Sequence, residues 1–82
     1  MFVRTRVRSS MFIALSYDST RSLLELELHN GAILHCEEVP AALVRAMIKA
    51  PSKGKFYHRW IKDIFETHVR RDVAGRVFRR AA

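Results

Sequence analysis

The sequence predicts an α+β fold in which a three-stranded antiparallel β-meander is followed by two α-helices packed on one face of the sheet. Leucine alternates with glutamate over residues 24–28, and Asn30-Gly31 follows. Such alternation is typical of a half-buried strand, and an Asn-Gly pair is typical of a hairpin turn. After each of the prolines Pro40 and Pro51, apolar residues recur at helical spacing, which indicates two amphipathic helices.

The first strand is predicted at residues 11–17, which are rich in β-forming side chains. The turn-prone residues 18–20 end it. The alternating stretch then supplies the second strand, and the residues after the Asn-Gly pair supply the third.

The length of the hairpin loop follows from the strand register. A two-residue turn at Asn30-Gly31 places His35 on the leucine face. A three-residue loop that ends at a left-handed Gly31 pairs Leu24 with Cys36 and makes every core-side position apolar. Because a shift of one residue exchanges the two faces of a strand, we predict the three-residue loop and a buried Cys36.

Two helices are predicted after the meander. Pro40 begins the first helix, where the missing N–H of proline costs nothing, and Pro51 ends it. Its core stripe comprises Leu43, Val44, Met47 and Ile48. Ser52 is a natural N-cap for the second helix, which we predict to run to about residue 72. Its core-side face comprises Tyr57, Trp60, Ile61, Ile64, Phe65 and His68.

Length and composition indicate one small domain. The chain has 82 residues, of which 49% are hydrophobic, enough for a compact core. The apolar run at residues 11–15 is shorter than the roughly 7 to 15 residues of a signal-peptide core and far too short to span a membrane. A single Cys36 cannot form an internal disulfide, which fits a reducing compartment. We therefore expect a soluble cytoplasmic protein.

Charge is distributed unevenly along the chain, whose net charge is +7. Residues 1–9 carry three arginines and no acid, residues 10–44 have a net charge of −4, and residues 45–82 have a net charge of +8. We expect a basic N-terminal segment at residues 1–8, a single domain at 9–72 and a basic tail at 73–82. This polarity bears on partners and solubility rather than on fold.

The order of motifs resembles the KTSC domain. The chain contains SSMFIALSYD, then LELEL, NG, VP at a helix start, and SKG before an aromatic pair. The KTSC family is a short bacterial and phage domain that also occurs at the C-terminus of some lysyl-tRNA synthetases. The resemblance runs without a gap over residues 9–63. It is carried by Ser9, Ser10, Tyr17, Asp18, Gly31, Val39, Pro40, Ala50, Ser52, Lys53, Gly54 and Ile61.

The chain departs from the family pattern at three positions. The family's central tyrosine-x-tyrosine falls on Leu34 and Cys36, and an asparagine after the aromatic pair is His58. The resemblance implies no established function, although RNA binding has been suggested for the family, partly from the synthetase association. Leucine and cysteine in place of the tyrosines favour core positions over a base-stacking role.

The stretch Ser52, Lys53, Gly54 and Lys55 is a candidate phosphate site. A helix N-terminus exposes free N–H groups and the positive end of the helix dipole, and the lysines add charge. The spacing is not that of a P-loop. The alternative is that this stretch only caps the helix and forms a tight turn.

The basic side chains of the helices and tail are candidates for contacts with a nucleic-acid backbone. They are Arg45, Lys49, Arg59, Lys62, Arg70, Arg71, Arg76, Arg79 and Arg80. The alternative is a solvated face that keeps the protein soluble. Because Glu25 and Glu27 on the open sheet face repel phosphate, we expect nucleic acid on the helical side.

The remaining candidates are aromatic residues and histidines. By spacing, Tyr57 and Trp60 are core or helix-docking residues, and where exposed they mark a partner surface or a base-stacking platform. The four histidines lack metal-ligand spacing, and no nucleophile, base and orienting group come together. We therefore expect no enzyme activity, no metal and no cofactor.

These observations predict a small basic non-enzymatic domain that binds RNA or DNA non-specifically through its helical side and tail. The alternative is a protein-interaction or regulatory module without nucleic-acid contact. We expect a monomer or a weak homodimer that associates through an edge strand or the Trp60 face. Phosphate binding weakens steeply with salt, whereas a mostly apolar interface is less sensitive.

Overall fold

An antiparallel sheet with two helices on one face forms the architecture of residues 2–69, the part of the chain that the computed structural model describes. Within these residues the sheet has five strands in the order β1-β2-β3-β4-β5. The elements are β1 (Val3–Arg6), β2 (Phe12–Asp18), β3 (Leu23–Leu28), β4 (Ile33–Cys36), α1 (Ala41–Lys49), α2 (Lys53–Trp60) and β5 (Thr67–Val69). No helix in this part of the chain is long and apolar enough to cross a membrane.

The predicted hairpin register between β3 and β4 is confirmed. Leu24 lies opposite Cys36, and Leu26 lies opposite Leu34. Gly31 has a φ of 88°, the left-handed conformation that the three-residue loop requires. The leucines are therefore buried under the helices, and the glutamates of β3 lie on the open face of the sheet.

The predicted number of strands was too small. β1 pairs with β2, with Arg4 opposite Ser16, so part of the predicted basic N-terminal segment is an edge strand of the same sheet. At the other edge β5 pairs with β4, with Val69 opposite Leu34. The alternation of valine or threonine with arginine over residues 3–8 was a local signal for β1.

The second helix is much shorter than predicted. It ends at Trp60, where the Tyr57 carbonyl oxygen accepts the N–H groups of Ile61 at 3.0 Å and Lys62 at 2.8 Å. The chain then turns and forms β5, which pairs with the edge of β4 that β3 leaves open. No glycine or proline marks this end, so the local sequence gave no stop signal. Residues 70–72 of the predicted helix lie outside the described part of the chain.

The core lies between the leucine face of the sheet and the two helices. Val44 and Met47 of α1 are buried. Tyr57 of α2 and Ile61, the residue that follows α2, are buried as well. The core-facing stripe of α1 is narrower than predicted, because Ile48 is 37% exposed. Pro40 has extended backbone angles and is the N-cap, so α1 begins one residue later than expected.

Candidate nucleic-acid interface

The helical side of the molecule concentrates positive charge. Between Val39 and Lys62 the chain has six basic residues and no acidic one. This stretch includes both helices, which cover the face of the sheet opposite Glu25 and Glu27. The two faces of the molecule therefore differ in charge, as the sequence predicts.

Five of these cations lie on exposed positions. Arg45 and Lys49 are one helical turn apart on α1, Lys55 and Arg59 are one turn apart on α2, and Lys62 follows the end of α2. None of the five forms an ion pair with a carboxylate within residues 2–69. Their charges are therefore available to an external anion.

The Ser52-Lys53-Gly54 stretch caps α2 and forms the turn between the helices, the alternative predicted for it from the sequence. The Ser52 hydroxyl accepts the N–H of Lys55 at 3.3 Å and so caps α2. The ammonium group of Lys53 donates to the carbonyl oxygen of Ala50 just after α1. A Cβ added at Gly54 would lie 3.8 Å from the side chain of Met11, the residue before β2, which is an ordinary van der Waals contact. Lys55 is the exposed lysine of this stretch, and its side chain forms no hydrogen bond within residues 2–69.

The two aromatic candidates differ in exposure. Tyr57 is only 5% exposed and packs edge-to-face on Phe12 with ring centroids 5.7 Å apart, so it belongs to the core and not to a partner surface. Burial raises the pKa of Tyr57 to about 12. Trp60 is 46% exposed, and the Arg59 guanidinium lies 5.2 Å from its ring centroid. Trp60 is thus available to stack on a planar partner.

On the open sheet face, carboxylates lie beside arginine or histidine side chains. Arg4 binds Glu27 through two hydrogen bonds of 2.7 and 3.1 Å, which lower the pKa of that carboxyl. His35 lies 3.2 Å from Glu25. His68 of β5 lies 2.8 Å from the carboxylate of Glu37 and 3.9 Å from that of Glu66. A phosphate approaching this face would meet carboxylates, so the helical side is the better anion-binding surface.

A buried carboxylate lies at the end of β2. Asp18 is 2% exposed and accepts hydrogen bonds from the Thr20 N–H at 3.0 Å, the Thr20 hydroxyl at 2.6 Å and the Arg21 guanidinium at 2.9 Å. These donors hold the pKa of Asp18 well below its usual range. The residue therefore fixes the β2–β3 turn through its side chain.

The described side chains suited to catalysis have structural partners. Cys36 is fully buried, and this burial raises the pKa of its thiol to about 11, so it remains protonated and unreactive at neutral pH. The Ser9 hydroxyl accepts the N–H groups of Met11 at 3.1 Å and Phe12 at 3.2 Å. It satisfies the backbone at the start of β2, as expected. Within residues 2–69 no group of three or more His, Cys, Asp or Glu residues could hold a metal ion.

Some of the basic residues predicted to contact nucleic acid cannot be placed on the helical side. Arg70 and Arg71, and the tail arginines, lie outside the described residues. The core-side face predicted for the second helix is wrong at Ile64, which is 62% exposed, and at Trp60, because the helix ends before Ile64. Val3, which had no predicted place, is 66% exposed. Val3 and Ile64 are isolated from long apolar runs, so composition alone does not single them out.

A small antiparallel sheet with exposed cations on its helical side, and with carboxylates beside basic side chains on its open face, defines this chain as an α+β domain with a polarised surface. The chain matches the model of the KTSC domain over residues 8–65 and belongs to that family. The resemblance seen in the sequence is thereby confirmed.

Three known proteins are similar to this chain. An uncharacterized protein of Stutzerimonas stutzeri is 34% identical over 59 residues, which cover 72% of this chain and 83% of the relative. A lysine–tRNA ligase of Nostoc sp. is 32% identical over 65 residues, which cover 79% of this chain but only 12% of the ligase. The crystal structure of a KTSC domain protein from Yersinia pestis has a TM-score of 0.80 and 26% identity, covering 84% of this chain and 97% of that one.

Proposed function

We propose that this protein is a non-catalytic cytoplasmic domain that binds RNA or other nucleic acid through its helical side. The observation that carries the proposal is the set of five exposed cations on α1, α2 and the turn after α2, none of which is neutralised by a carboxylate within residues 2–69. Such a surface attracts a phosphate backbone without reading its sequence.

Two further features support the proposal. Trp60 supplies an exposed aromatic ring beside these cations, and single-stranded nucleic acids bind where bases stack next to positive charge. The similarity to a segment of a lysine–tRNA ligase adds support, because that enzyme acts on an RNA.

The test is fluorescence anisotropy of a labelled single-stranded RNA, titrated at low and at near-physiological salt. We expect binding that weakens with salt, with a slope that falls by about 0.7 for each phosphate contact removed. The variant Lys55→Glu with Arg59→Glu should bind much more weakly than the wild type. Its matched control is Arg6→Glu with Arg8→Glu, the same change of charge on β1 and the residues after it.

The control variant should retain wild-type affinity, because Arg6 lies on the open face of the sheet. Equal losses in both variants would show that net charge, and not the helical surface, determines binding. If the wild type fails to bind at low salt, the proposal is wrong, and a protein partner becomes the function to test.

A further inference from the structure

We propose that the outer edge of β1 and the groove beside it form a docking site for an extended peptide in which acidic and apolar side chains alternate. This β1 site is distinct from the basic helical side. It would bind its partner by adding a sixth strand to the five described ones, with backbone hydrogen bonds providing affinity and side-chain pockets providing specificity.

The backbone of β1 is free on its outer side. The Val7 N–H donates to the carbonyl oxygen of Ile13 at 3.0 Å, so Val7 is directed at β2. In an antiparallel pair, alternate residues direct their N–H and C=O groups to the partner. Val3 and Thr5 are therefore paired with β2, whereas Arg4 and Arg6 direct their backbone groups outward. β1 is the end of the sheet, so no described strand covers these groups.

A groove lies between β1 and α1 on the helical side of the sheet. Its volume is about 260 Å³, and its lining includes Val3, Thr5, Tyr17, Val44, Arg45 and Ile48. Val3 is 66% exposed and Ile48 is 37% exposed, and both line the groove together with the buried Leu15 and Val44. A strand added to β1 would place every second side chain toward this groove and would cover Val3 and Ile48.

The arginines around the β1 site favour a partner strand with acidic side chains. The other side chains of an added strand would lie on the open face, opposite Arg4 and Arg6. Arg4 is bound to Glu27. Arg6 forms no ion pair within residues 2–69, although its charge contributes to the lowered pKa of Glu27, and Arg45 at the groove forms none there either. A partner with acidic residues at the open-face positions and apolar residues at the groove positions therefore complements the site.

The same charges disfavour two other occupants. A second copy paired edge to edge would bring arginines of the two β1 strands opposite one another, and like charges directly opposite destabilise a sheet. Residues 70–82 of this chain contain five arginines and one acidic residue, so they do not complement the site either.

The experiment uses a labelled short peptide in which glutamate alternates with valine, and a matched peptide with lysine in place of glutamate. We expect the acidic peptide to bind the wild-type protein at least about tenfold more tightly. Arg6→Pro removes one outward N–H and leaves the hydrogen bonds to β2, and Arg6→Ala retains that N–H. The proline variant should therefore bind about tenfold more weakly than the alanine variant.

A second pair of variants tests the groove and does not depend on the proline variant folding. Ile48→Asp should abolish binding of the acidic peptide, whereas Ile64→Asp, at an exposed site outside the groove, should have little effect. Equal affinity for the two peptides, or equal effects of the two aspartates, would overturn the proposal. Concentration-dependent dimerisation that Arg6→Pro abolishes would assign the edge to a second copy and would overturn it as well.

Discussion

The hydroxyl group of Tyr17 on β2 donates a hydrogen bond to the carbonyl oxygen of Val39, the residue before the proline that caps α1. Val39 is fully buried, and its own N–H donates to the Ser22 carbonyl oxygen at 2.9 Å. The start of α1 is therefore held to β2 through the Val39 carbonyl group and to the β2–β3 turn through the Val39 N–H.

Tyr17→Phe should lower the free energy of unfolding by about 1 to 3 kcal/mol, because it leaves the buried Val39 carbonyl without its donor. Urea unfolding measures this loss. The matched control is Tyr57→Phe, since the Tyr57 hydroxyl donates no hydrogen bond to the described part of the chain. Equal losses in the two variants would show that the Tyr17 hydroxyl contributes nothing specific.

Gly31→Val should destabilise the β3–β4 hairpin, because the φ of 88° at Gly31 is strained for a β-branched residue. We expect a loss of about 1 to 3 kcal/mol in thermal or chemical unfolding. Gly31→Asn should cost less, since asparagine tolerates the left-handed conformation. A valine variant as stable as the asparagine variant would contradict the proposed loop geometry.

Lys53→Ala and Lys55→Ala should have separable effects. The Lys53 ammonium group donates to the Ala50 carbonyl oxygen, so its removal should lower the melting temperature and change RNA affinity little. Lys55 is exposed, so its removal should weaken RNA binding and leave the melting temperature nearly unchanged. Melting curves and anisotropy titrations of both variants check this, and the reverse assignment would return the phosphate site to Lys53.

Stability should fall at high pH. Burial raises the pKa of Cys36 from 9.0 to about 11 and that of Tyr57 from 10.0 to about 12. The unfolded chain therefore loses these protons first, and stability declines as the pH rises from about 9 towards 12. Cys36→Ala should abolish the decline that begins near pH 9 and retain most of the part due to Tyr57, whose pKa is raised first by burial and only second by the Cys36 charge. Unfolding free energies at several pH values measure the slope, and an unchanged slope in the variant would exclude Cys36 as its cause.

Stability should also fall in acid. The pKa of Asp18 is lowered mainly by hydrogen bonds from Thr20 and Arg21, so the unfolded chain takes up a proton before the folded one does. The stabilisation from Asp18 is therefore fully present at neutral pH and is lost as the pH falls below about 4. Asp18→Asn should flatten this acid slope. An equally steep slope in the variant would assign acid unfolding to other carboxyl groups.

Local sequence was sufficient for the parts of the fold that depend on neighbouring residues. The leucine alternation and the glycine turn predicted the register that pairs Leu24 with Cys36, because only that register buries an apolar face. Ser52 and Pro51 likewise marked the boundary between the helices. For the candidate site, the sequence predicted which side of the sheet carries positive charge.

The tertiary structure decided what depends on distant partners. Helical spacing of Ile61, Ile64 and Phe65 favoured a continuous helix, but pairing with β4 draws the following residues into β5. Likewise, the arginine-rich Val3–Arg6 segment is an edge strand because it pairs with β2. This pairing leaves its outward backbone groups without a described strand partner. The physical reason is that a strand is stabilised by hydrogen bonds to a partner remote in sequence, whereas a turn or a helix cap is stabilised by its own neighbours.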